Sequence, residues 1–86
     1  MNQAFNIHSN DADTLGGRIA HARDMAGKTI EEASAQVGVT DDTYSEWEND
    51  RSEPRSNKLT TLAGILGVAP IWLISGVGDG PDSTIT

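Results

Sequence analysis

The chain has 86 residues, no Cys, and a net charge of −7 from six Lys and Arg against thirteen Asp and Glu. That length is room for one domain with a thin core. The missing thiols exclude disulfides, zinc–thiolate sites and thiol catalysis. A DNA-binding domain ordinarily carries a basic excess, so composition alone argues against nucleic acid. The acidic balance persists at −3 over residues 14–76, where six basic residues face nine acidic ones.

The longest apolar run, Val68 to Ile74, is far short of the ~20 residues of a membrane span. Met1 to Asn10 has no Lys, no Arg and no apolar centre, so no signal peptide is expected there. These features point to the cytoplasm. So short a chain is also expected to lack a separate ligand-sensing or self-cleaving domain.

Residues 1–13 are polar and are expected to form a flexible arm. The domain is expected at 14–76, followed by a flexible Gly- and Asp-containing tail at 77–86. The first helix spans Leu15 to Ala26. Leu15, Ile19, Ala22 and Ala26 share a face, Asp13 or Thr14 is its cap, and Gly27 stops it. The second starts at Thr29, where Thr29 and Glu32 have capping-box spacing, and ends near Val37 before Gly38. Thr40 caps a third helix that reaches Asn49, with Tyr44 and Trp47 on one face. After a polar loop containing Pro54, a fourth helix covers about Asn57 to Leu66. Ser56 is its expected cap, Leu59, Leu62, Ala63 and Leu66 point inward, and Gly67 closes it. Pro70 suits the first position of a short, apolar fifth helix ending at Gly76.

Two helices joined by Gly38-Val39-Thr40 have the spacing of a helix-turn-helix, in which the second helix can enter a major groove. Spacing alone is a weak signal. The wider pattern is specific: Leu15-Gly-Gly-Arg18-Ile19-Ala-His-Ala-Arg23, Gly27-Lys-Thr29, Gly38-Val39-Thr40 through Asn49, Pro54, Leu59-Thr-Thr-Leu62-Ala63, Leu66-Gly67-Val68 and Trp72 to Gly76. Over about residues 14–76 the chain resembles the Cro/repressor-type helix-turn-helix proteins. The resemblance implies an all-α, five-helix, lambda repressor-like fold and DNA binding.

By position, the resemblance implies an ion pair between Arg23 and Glu48. It implies a DNA-facing side made of Thr40, Asp41, Asp42, Thr43 and Glu46, with phosphate or groove-edge contacts from Asn49, Arg51 and Arg55. It places Trp72 near a dimer surface. The chain departs from the family in three places. Ile30 stands where a phosphate-holding Gln is frequent. In the second helix Ala33 stands where a Leu is usual, and Ser34 where the Ala beside it is usual. Three carboxylates lie on the recognition helix.

Those carboxylates admit two readings. Asp41 and Asp42 suit the positive end of the helix dipole, and equally they can accept hydrogen bonds from cytosine N4. The dipole accounts less well for Glu46. Arg51, Arg55 and Lys58 place three of the six basic residues within eight positions, where phosphate contacts are expected. Arg18 is either a fourth such contact or simply exposed. The surplus of apolar residues on the fifth helix, Ile71, Trp72 and Ile74, is expected to form a homodimer interface.

His8 and His21 have no ligand-spaced companions, so neither metal nor cofactor is expected. No nucleophile–base–acid set stands out, which argues against an enzyme. The expected function is a sequence-specific, DNA-binding transcriptional regulator acting as a homodimer on a palindromic double-stranded operator. The alternative is a scaffold for protein contact, antitoxin-like or otherwise, with the acidic third helix docking on a basic partner.

Overall fold

The structure, a computed structural model, describes residues 14–81. The expected arm at 1–13 and residues 82–86 lie outside them. Among the described residues five helices follow one another: α1 (Leu15–Met25), α2 (Ile30–Val37), α3 (Asp41–Glu48), α4 (Ser56–Leu66) and α5 (Pro70–Ser75). Helix α1 packs on α3 and α5, α2 on α3 and α4, and α4 on α5. The fold is all-α and lambda repressor-like.

Local chemistry sets the helix boundaries. Three N-caps are threonines whose hydroxyls each accept from the backbone N–H three residues on. They are Thr14 from Gly17, Thr29 from Glu32, and Thr40 from Thr43. At Thr29 the box is reciprocal, because the Glu32 carboxylate accepts from the Thr29 N–H at 2.8 Å. Gly38 (φ 86°) is the residue that lets α2 stop and the chain turn sharply into α3, since a left-handed conformation is strained for a residue with a Cβ. The expectation for α4 needs correction. Its N-cap is Arg55, which makes no side-chain cap bond, and Ser56 is already helical.

The core is Ile19, Ala22, Ala33, Val37, Tyr44, Trp47, Leu62, Ala63, Leu66, Trp72 and Leu73. Leu59, expected inward, is half-buried against it. Tyr44 and Trp47, three residues apart on α3, meet with ring centroids 5.8 Å apart and planes tilted by 52°. This buried pair determines which side of α3 remains outside.

Two further findings concern α5 and α1. Trp72 is not at the surface: it is 7% exposed, and an added Cβ on Gly80 would lie 2.6 Å from its indole ring. The segment after α5 therefore lies across Trp72 instead of leaving the domain at Gly76. Arg18 is likewise neither exposed nor available to a phosphate. It is 7% exposed, and its Nε and Nη2 donate to the carbonyls of Leu73 (2.8 Å) and Ile74 (2.9 Å). A buried guanidinium needs acceptors, and the last turn of α5 supplies carbonyls that its own helix leaves unpaired.

Candidate nucleic-acid interface

The turn between α2 and α3 is fastened by side chains. Ser34 is buried on α2, and its Oγ lies 2.6 Å from Asp41 Oδ1, to which it donates. Lys58 Nζ reaches across from α4 to the Val37 carbonyl at 3.1 Å, at the end of α2. Asp41 and Lys58, both expected to face DNA, are thus bonded within the protein.

Asp42, Ser45, Glu46 and Asn49 recur at the three- and four-residue steps that share a helix face. With Arg51 they line an open hollow of about 230 Å³, opposite the buried Tyr44–Trp47 side. Ser45 was not among the expected contact residues, although its spacing between Asp42 and Asn49 signals it. Thr40 and Thr43 close the N-terminal end of this face. The Thr40 hydroxyl donates to Thr43 Oγ1 at 3.1 Å. Asn49 Nδ2 donates to the Ser45 carbonyl at 2.8 Å, and Ser52 Oγ donates to Glu46 Oε1 at 3.4 Å.

The face carries two exposed carboxylates, Asp42 and Glu46, and is flanked by the exposed Arg51 and Arg55. Neither arginine side chain is in an ion pair or a side-chain hydrogen bond among the described residues. They are the two cations beside this face that the fold leaves available.

Behind the face, Arg23 and Glu48 form a bidentate pair. Arg23 Nε lies 2.7 Å from Glu48 Oε2, and Nη2 lies 3.1 Å from Oε1. Arg23 Nη1 also donates to the Lys28 carbonyl at 2.9 Å, so one guanidinium joins α1, the turn after it and the end of α3. The hydrogen bond and charge of Glu48 hold the Arg23 pKa above its usual value, against the opposing effect of burial. Tyr44 lies beside this pair. Burial first, and the Glu48 charge second, push its phenol well above the usual range.

The end of α3 is held by a residue the spacing did not single out. Asp50 has φ 59°, and its carboxylate accepts from the Gly16 N–H (2.8 Å) and the Thr14 hydroxyl (2.7 Å). Asp is one of the few residues that visit this conformation, and here it caps α1 from another part of the chain. Gly16 has no room for a side chain: an added Cβ would strike the Trp47 carbonyl oxygen and lie 2.7 Å from that of Glu48.

On α5 and just after it, Ile71 (59% exposed), Ile74 (50%) and Val77 (64%) present apolar side chains to solvent. Of the three residues expected at a dimer surface, Ile71 and Ile74 are exposed, and Trp72 is in the core.

A family model described as a helix-turn-helix domain matches residues 16–79. The chain belongs to the helix-turn-helix domain family. It is also similar to the 26 kDa repressor protein of Escherichia phage HK022, with 31% identity over 71 residues, 78% of this chain and 30% of that protein. The chain therefore spans less than a third of that relative's length. No solved structure matches it. The family match and this similarity make the chain a Cro/repressor-type helix-turn-helix protein. Helices α2 and α3 are the two helices of its motif. No described helix is long and apolar enough to cross a membrane.

Proposed function

We propose that this helix-turn-helix protein is a sequence-specific transcriptional regulator that binds a palindromic operator as a homodimer, with α3 in the major groove. The observation that carries this reading is the open face of Asp42, Ser45, Glu46 and Asn49, flanked by the two available arginines, Arg51 and Arg55. Side chains on such a face contact base edges, and flanking arginines contact phosphates and set register. The similarity to a phage repressor protein supports repression as the regulatory outcome. The site of action is the cytoplasm of a bacterial or phage-infected cell.

A second copy is the natural occupant of the patch formed by Ile71, Ile74 and Val77. The patch is apolar in an otherwise charged chain, and a two-fold contact matches half-sites about 34 Å apart. Asp42 and Glu46 favour a second reading, in which the same face docks on a basic protein.

Selection of bound sequences from a random duplex pool at low salt separates the two readings. Enrichment of a two-fold-symmetric site is the expected result. No enrichment, together with the absence of any salt-dependent affinity for duplexes, would overturn DNA binding by α3 and leave the protein-docking reading.

A further inference from the structure

The first turn of α1 touches both the reading helix and the element that bears the apolar patch. At one end, Thr14 and Gly16 are bonded to Asp50, and Gly16 is seated on the last carbonyls of α3. Two residues later, Arg18 grips the carbonyls of Leu73 and Ile74 with two N–H groups. Ile74 is itself a patch residue, with Ile71 one turn before it and Val77 three residues after it. The N-cap and first turn of a single helix thus hold the end of α3 and the end of α5 in one geometry.

We propose that Arg18 is a positioning residue. It holds the apolar patch at a fixed angle to the reading helix, and so sets the half-site spacing that the dimer accepts. The inference rests on the dimeric, DNA-binding reading above. Its physical basis is the planar guanidinium, whose two donors fix orientation as well as distance. The contact is enclosed: the nearest atom to an added Cβ on Gly76 (φ 79°) is Arg18 Nη1, at 3.3 Å. A side chain at position 76 would therefore press on the guanidinium. Moving one half-site by a base pair rotates it about 35° around the duplex axis. A rigid dimer must then twist the DNA, whereas a loosened one turns with it.

The test compares the parent protein with Arg18→Lys, which keeps the charge and loses the fork. The substrates are duplexes whose two copies of the selected half-site differ in spacing by one base pair. The parent is expected to lose about tenfold or more in affinity at the wrong spacing. Arg18→Lys is expected to lose less than about threefold, with its affinity for a single half-site unchanged. Retention of the parent's discrimination by Arg18→Lys overturns the proposal alone. An absence of spacing preference in the parent overturns it together with the dimeric reading.

A second measurement needs no DNA. The chain lacks Cys, so spin labels at Asp42→Cys and Val77→Cys report the distance from the reading face to the patch. With the labelled chain diluted into an excess of unlabelled protein, one narrow distribution is expected in the parent and a broader one with Arg18→Lys; equal widths overturn the proposal. If Arg18→Lys fails to fold, Gly76→Ala disturbs the same contact from the α5 side and is read in the same two ways.

Discussion

At Gly16 the start of α1 lies directly on the carbonyls that end α3, with no space for a methyl group. Gly16→Ala must push two helices apart through backbone atoms that cannot rotate away. The expected loss is about 2–3 kcal/mol, at the upper end of overpacking costs, measured as a lower midpoint in urea. The Arg23–Glu48 pair is only partly exposed, so removing one partner strands the other. Arg23→Ala and Glu48→Ala are each expected to cost roughly 3 kcal/mol. The double variant should cost clearly less than their sum, which a double-mutant cycle measures. Tyr44 makes stability fall in alkali. Its folded pKa is raised, so above the unfolded value near 10 the unfolded chain releases a proton that the folded chain keeps. Its contribution is complete below that pH and declines as pH rises beyond it. Unfolding of Tyr44→Phe, followed from pH 8 to 11, should show a shallower alkaline decline.

Among the elements, α2 starts on a reciprocal capping box, and its eight residues form few internal bonds. Thr29→Ala removes one side of the capping box and is expected to cost about 1 kcal/mol. The segment after α5 behaves differently. Residues 77–80 reach back so that Gly80 rests on Trp72. A methyl group at Gly80 would collide with the ring, and the simplest relief is for this segment to lift. In a Trp47→Phe background, Gly80→Ala is therefore expected to red-shift Trp72 emission while far-UV dichroism stays unchanged. An unshifted spectrum would mean that the segment does not cover Trp72 in solution.

For the whole molecule, the acidic charge has to be reconciled with binding to a polyanion. Arg18, Arg23 and Lys58 are bonded within the fold, and Arg51 and Arg55 remain beside the reading face. Two phosphate contacts per subunit give a salt slope of about −2 per subunit. Arg55→Ala should weaken all duplexes about equally and reduce that slope by about one. Glu46→Gln removes a repulsive charge from the groove-facing side, so non-specific affinity should rise. Titrations at several salt concentrations check both. An Arg55→Ala slope equal to the parent's would remove Arg55 from the interface.

Much of the fold could be read from the chain because its signals are local. Threonine caps, turn glycines and apolar residues at helical spacing act within a few residues, and the five helices lie within one or two residues of where these place them. The exception among the caps is Ser56, where Arg55 ends the loop without a side-chain bond. The candidate reading face was legible for the same reason, since helical periodicity places Asp42, Glu46 and Asn49 together once Tyr44 and Trp47 are known to be inside. The uses of individual charges were decided by tertiary structure. Nothing near Arg18 in sequence shows that α5 ends against it. Nothing near Lys58 shows that its ammonium meets the last turn of α2, and nothing near Asp50 shows that it caps α1, 34 residues earlier. A charged side chain takes whatever acceptor or donor the packing of distant helices brings within about 3 Å. Sequence spacing cannot express that proximity until the helices are docked.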